Sequence, residues 1–251
     1  MFFVRAVFAI TIMIICSLSM KSNAQNKFSK YEFGINAGLF LYQGDLTPRV
    51  EGAIETPSFG INIFANRIIS PSFSLRTNLS LGSLRGDDSK YTDPAWRQQR
   101  NFNFHSSVVE VSESLLWNVL RKNDVQTGFS PYVYAGVGLS SVNIRRDASR
   151  FNPEAFVADP QIAAGLQTDL ETDPPKNLFV LPVGVGVKYW ITPNFAINVD
   201  ASYRITFTDY VDGFSKAGWS GGKDYYYNHA IGFVFKFGRS GEYLDCPAVS
   251  R

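Results

Sequence analysis

Alternation organises this chain. From Phe195 to Phe207 every odd position is apolar or aromatic (Phe195, Ile197, Val199, Ala201, Tyr203, Ile205, Phe207), with Ala196, Asn198, Asp200, Ser202, Arg204 and Thr206 between them. An alternation this long gives a strand one apolar and one polar face. Seven earlier or later stretches repeat it: YEFGINAGLFLYQ, SFGINIFANR, FSLRTNLSLG, NFNFHSSVVEVSESLLWNV, PYVYAGVGLSSV, LFVLPVGVGVKYW and YYYNHAIGFVFKF. In the fourth run the phase changes near Ser106–Ser107, which predicts a β-bulge.

The connections between runs alternate long and short. QGDLTPRVEGAIETP, LRGDDSKYTDPAWRQQR, the stretch from Arg145 to Asn177 and DYVDGFSKAGWSGGKD are long; IISPS, LRKNDVQTGFS and ITPN are shorter. Long loops at one end and short turns at the other are the mark of an outer-membrane barrel, with the long loops outside and the turns in the periplasm. The apolar faces then point into lipid, and the polar faces line a lumen. Those polar faces carry Glu32, Arg76, Glu110, Lys188, Asp200, Arg204 and Lys236, a set of nearly balanced charges expected to pair across strands. Gly34, Gly60, Gly136, Gly184, Gly186 and Gly232 share the lumen faces and leave room where eight strands curve tightly. Aromatics collect near run ends (Tyr31, Trp117, Tyr132, Tyr189, Trp190, Tyr203, Tyr225, Tyr227), where interface girdles belong. The fold class expected is therefore all-β, an eight-stranded antiparallel transmembrane barrel over residues 31–238. A barrel of eight strands fills its own interior, so a wide diffusion pore is not expected.

The N-terminus fits this location. MFFVRAVFAITIMIICSLSMKSNAQ has an early positive charge, an apolar run and a small-x-small end at Ser22–Ala24, the pattern of a secretory signal peptide over residues 1–24. Residues 25–30 would then be a short periplasmic segment and 239–251 a periplasmic tail. Cys16 lies inside the leader, so the mature chain keeps only Cys246 and has no internal disulfide. Loss of Arg5 and Lys21 leaves 22 of the 24 basic residues against 22 acidic ones. A balance near zero argues against nucleic-acid binding.

Catalytic and metal chemistry is thinly represented. His105 and Ser107 share a side of one strand, but the nearest acid of the same parity, Glu113, lies ~20 Å along the strand at ~3.3 Å per residue, too far for a triad. His229 sits among Tyr225–Asn228 and reads as an interfacial residue. RGDD and TDLETD lack the glycine punctuation of a calcium loop, and two distant histidines with one tail cysteine form no metal set. No cofactor, no small-molecule substrate and no enzymatic activity are expected.

Several blocks resemble a known family. Tyr42 followed by GDL, RGDDS (Arg85–Ser89) followed by Asp93-Pro94, Arg100, Asn101 and FHSSVVEVS, then PYVYAGVG (Pro131–Gly138), LPVGVGVKYWITPN (Leu181–Asn194) and DASYRITFTDYVD (Asp200–Asp212) resemble, in family order, the PorG-like outer-membrane barrels of Bacteroidota. The resemblance runs from about Tyr31 to Phe237 and implies a subunit of the type IX secretion machinery, tied to a periplasmic ring of PorK- and PorN-like proteins. A stand-alone barrel of OmpA/OmpX type, acting in adhesion or envelope stability, is the alternative, and a lipid-acting barrel enzyme comes third. Besides outer-membrane lipids, the partners expected are therefore periplasmic. They would meet the chain at the turn carrying Arg121, Lys122 and Asp124 and at the tail, RSGEYLDCPAVSR, through Tyr243, Leu244 and Cys246.

Overall fold

A computed structural model describes residues 31–49, 51–120, 123, 127–218 and 222–237. Its eight strands are β1 (Tyr31–Gln43), β2 (Ser58–Ile68), β3 (Phe73–Asp87), β4 (Asn103–Asn118), β5 (Gly128–Asp147), β6 (Asn177–Thr192), β7 (Phe195–Thr206) and β8 (Tyr225–Phe237). Each pairs antiparallel with its neighbours in sequence, and β8 returns to β1 from Tyr31↔Phe237 to Gln43↔Tyr225, closing the barrel. Closure removes the unpaired edges that lipid would not tolerate. Among the described residues no helix is long and apolar enough to cross a membrane; the strands do the crossing.

The register puts like residues on one level. Phe233, Ile35, Ile63, Leu79, Val111, Leu139 and Phe179 stand side by side around seven strands, and most of their side chains are exposed. The alternate positions point inward, where Glu32, Arg76, Glu110, Lys188, Asp200, Arg204 and Lys236 are all buried. An exposed apolar belt around a charged interior is the inverse of a water-soluble barrel and makes this an outer-membrane-type transmembrane barrel.

Glycines on β6 shape that interior. Gly184 and Gly186 face Tyr134 and Tyr132 of β5, and a Cβ at either would meet a tyrosine ring carbon at 2.5 or 2.4 Å. The two tyrosines lie flat across this bare stretch of β6 and reach Asp200 on β7.

Two expectations need correction. There is no bulge at Ser106–Ser107, because β4 pairs without interruption with β3 from Asn103 to Trp117 and with β5 from Asn103 to Asn118. The phase change is real but has another cause. Above Val108 the inward side chains turn apolar (Phe104, Val108, with Leu84 and Val142 beside them) while the outward ones turn polar (His105, Ser107, Ser83, Asn143). The surroundings invert there and the backbone does not. The register shift among the paired strands falls instead between Trp190 and Thr192, beside the β6–β7 turn. Tyr132 and Trp190 do not belong to the aromatic girdle, since both are inward and buried. Trp190 packs with Phe64, Ala196 and Val234 at the periplasmic end.

The long connections gather at the end opposite Tyr31 and Phe237 and, among the described residues, carry two α-helices, α1 (Trp96–Arg100) and α2 (Pro160–Glu171), the latter started by a proline in its first turn.

Candidate functional site

The lumen is filled by one continuous polar network. At its periplasmic end Lys188 Nζ donates to Glu32 Oε2 at 2.8 Å, and Lys236 Nζ stands 4.0 Å from Glu32 Oε1 while donating to the Asn123 carbonyl. Asn66 bridges upward, giving its amide to Glu32 and taking Arg76 Nε at 2.9 Å. Arg76 Nη1 reaches Asp200 at 3.2 Å, and the Tyr132 and Tyr134 hydroxyls each donate to Asp200 at 2.8 Å. Arg76 also lies over the Phe64 ring, 4.2 Å from its centroid. Higher up, Arg204 pairs with Glu110, which also accepts from the Tyr226 hydroxyl at 2.7 Å. All seven lumen charges expected from the alternation are thus brought into contact or near contact. One cavity among them, of about 10 Å³, is lined by Asn36, Asn78, Arg76, Ser112 and Asp200, room for about one water. Asn36 Oδ1 and Arg76 Nη2, neither with a protein partner, are buried beside it.

Above the network an apolar plug of Phe40, Leu84, Phe104, Val108, Val180 and Phe214 closes the outer end. The long loops lock onto it through buried acids. Asp88 holds Arg97 (2.8 Å) and Arg100 (2.6 Å), and both guanidiniums also donate to the Asp45 carbonyl. Asp169 of α2 accepts the backbone amides of Lys216 and Ala217, and Gly165 of the same helix lets the Lys216 backbone approach so closely that a Cβ would meet its carbonyl at 2.2 Å. Arg146 of β5 ties the Gly213 carbonyl to that of Thr172.

Tyr42 sits between two buried acids, its hydroxyl 2.6 Å from Asp212 Oδ2 and 2.8 Å from Asp224 Oδ1. One hydroxyl carries one proton, so two contacts this short need a second proton on a carboxyl. The surroundings agree: burial, with Asp224 beside it, pushes the Asp212 carboxyl well above the usual carboxylate range. Burial likewise pushes Asp224 up to about 8, with Asp45 adding to the effect. This pair was not singled out in the sequence, because its members lie 170 and 182 residues from Tyr42; the TDYVD block was the available signal.

His105, Ser107 and Glu113 all face outward on β4. His105 Nδ1 accepts from Arg85 Nε at 3.2 Å, and Glu113 Oε2 accepts from the Thr77 hydroxyl at 2.7 Å. Among the described residues no group of three His, Cys, Asp or Glu side chains is placed to hold a metal. The leader, Arg121, Lys122 and Asp124 in the β4–β5 turn, and Tyr243, Leu244 and Cys246 in the tail lie outside the described residues.

The family described as "Domain of unknown function (DUF6089)" matches residues 5–243. Among solved structures, the chain is similar to the attachment invasion locus protein Ail of Yersinia pestis (10% identity, TM-score 0.42, covering 83% of this chain and 99% of Ail). It is also similar to Neisserial surface protein A (14%, 0.45, 82% and 97%) and to OprG of Pseudomonas aeruginosa (10%, 0.46, 85% and 98%). At TM-scores below 0.5 these likenesses carry nothing further, and the functional reading rests on the residues of this chain. No curated protein matches it in sequence.

Proposed function

We propose that this chain, which belongs to the DUF6089 family by the match over residues 5–243, is a non-enzymatic outer-membrane subunit of the type IX protein secretion machinery that anchors a periplasmic ring of PorK/PorN-like proteins. The observation that carries the reading is the lumen network: its inward charges are buried and paired across strands, so the barrel offers its surfaces and ends rather than a wide passage. The resemblance of Tyr42–Leu46, Arg85–Ser89 and Asp200–Asp212 to PorG-like barrels supplies the machinery. Docking falls to the periplasmic turn with Arg121, Lys122 and Asp124 and to the tail, whose few apolar residues suit ordering on a partner.

Deletion of Gly241–Arg251 tests the reading. Normal barrel levels with loss of a co-purifying periplasmic partner are expected. Unchanged co-purification together with unchanged secretion would refute docking by the tail. One observation favours the second reading, a stand-alone barrel working through its outer loops: several of the resembling blocks meet in the locked outer cap, at Tyr42, Asp88, Arg100 and Asp212. A strain lacking the chain that still secretes normally but loses envelope integrity would decide for it.

A further inference from the structure

We propose that Arg85, His105 and Arg145 form a binding site for the phosphate of an anionic lipid in the outer leaflet. The three residues are direct cross-strand partners on β3, β4 and β5 (Arg85↔His105↔Arg145), so their Cα atoms follow one another at ~5 Å. All three point outward, on the membrane side of the barrel wall.

Their height matches a headgroup. On β3 the outward residues run Phe73, Leu75, Thr77, Leu79, Leu81, then Ser83 and Arg85. Arg85 stands twelve residues above Phe73, which at ~3.3 Å per residue and a tilt of ~40° is ~30 Å. An apolar band of ~25 Å beginning at Phe73 therefore ends just below the basic rung. The rung below it, Ser83↔Ser107↔Asn143, is polar, so the change from hydrocarbon to headgroup is already complete there.

The donors are available. Among the described residues no carboxylate lies within ion-pair distance of Arg85 or Arg145. Arg85 spends Nε on His105 Nδ1, which leaves both of its terminal nitrogens and sets the His105 proton on Nε2. The acids of these three strands next to the basic rung are Asp87 and Asp147, one rung further out. Asp87 is occupied by the Ser89 amide and hydroxyl, and Asp147 by the Ser149 amide with Asn103 near it at 3.4 Å. Two guanidinium forks flanking a ring N–H are a good match for a phosphate's oxygens. The β7–β8 side is different in kind: Tyr203, Tyr225 and Tyr227 pack there with the His229 ring behind them, and the cation nearby, Lys223, lies over the Phe207 ring, 5.7 Å from its centroid, a surface suited to the headgroup–acyl boundary.

The proposal needs the outer-membrane orientation and not the secretion role. Its test is native mass spectrometry of the full folded barrel in micelles with phosphorylated lipid A or the same lipid after phosphatase treatment. Retention of the phosphorylated form should exceed that of the treated form by about tenfold, and R85Q/R145Q should lose that preference while R85K/R145K keeps much of it. Equal retention of the two lipids by the native protein would overturn the site without any variant, as would an unchanged preference in R85Q/R145Q. Complete displacement of the lipid by millimolar inorganic phosphate would mark a free-anion site and would equally overturn it.

Discussion

Removing the Asp200 carboxylate should show how much of this barrel's stability resides in its lumen. Asp200 takes three donors, Arg76 at 3.2 Å and the hydroxyls of Tyr132 and Tyr134 at 2.8 Å. In Asp200→Ala the Arg76 guanidinium keeps Asn66 and the Phe64 ring but loses its counter-charge inside the wall. Breaking a buried pair from one side costs about 3–5 kcal/mol. Tyr132 can turn its one proton to Asn198 Oδ1, already 2.8 Å away, while Tyr134 loses its bond to Asp200, worth about 1 kcal/mol. The neighbouring cavity lets water offset part of this, so a net loss of about 4 kcal/mol is expected. Urea unfolding in phospholipid vesicles would read it, with the fluorescence of Trp190, packed 4.1 Å from the Lys236 ammonium, as one probe and heat-modifiable gel migration as the other. Arg76→Met in the Asp200→Ala background removes the stranded charge and should restore about half of the loss or more, a coupling that additive sites would not show. A single-variant loss below about 1 kcal/mol, or a double variant as unstable as the sum of its parts, would refute the claim that the lumen charges act as a unit.

The outer cap should loosen as pH rises. Asp224 has its pKa raised to about 8 in the folded cap, against an ordinary value near ~3.9. Between those values the folded state holds a proton that the unfolded one has released, so stability falls with rising pH by up to ~1.4 kcal/mol per unit and levels off above about 8. Proteolysis of the 148–176 loop should therefore speed up from pH 5 to pH 9 in the native protein and change much less in Asp224→Asn; superimposable profiles would be the contrary result. On the lipid face, Glu113→Leu should stabilise the barrel by about 1 kcal/mol despite losing the Thr77 bond, and destabilisation in the same vesicle assay would show that Glu113 does not face lipid.

The strands were legible because their outward residues obey one rule over most of their length. Ile35, Ile63, Leu79 and Val111 alternate with polar neighbours, and a parity count finds them without any knowledge of their partners. The lumen charges followed from the same count. Tyr132 and Trp190 depart from what their aromatic character suggests: Trp190 shares its face with Lys188, both are buried inside, and parity is the better guide to their side of the wall. The cap was not legible. Tyr42, Asp212 and Asp224 meet only because β8 closes onto β1 and the β7–β8 loop folds back over the end of β1, and no local pattern announces a contact across 170 residues. α2 likewise lies in a stretch without alternation, and its docking depends on Gly165 meeting a loop fifty residues on.

The inversion on β3, β4 and β5 gives a single strand two opposite rules for change. Below Val108 a carboxylate is at home on the inner side and costly on the outer; above it, the inner side is mostly apolar, with Arg146 bonded to loop carbonyls, and the outer side accepts charge. β5, at 20 residues, is the longest strand of the barrel and β4 spans 16, so the outer ends of these strands rise past the hydrocarbon into headgroups and water. Insertion into the membrane and growth beyond it are therefore separable demands. A lineage could lengthen, shorten or redecorate the projecting rim of β3–β5 without disturbing the belt that seats the barrel in lipid, and a saturation scan along β4 would show tolerance trading sides at the level of Val108.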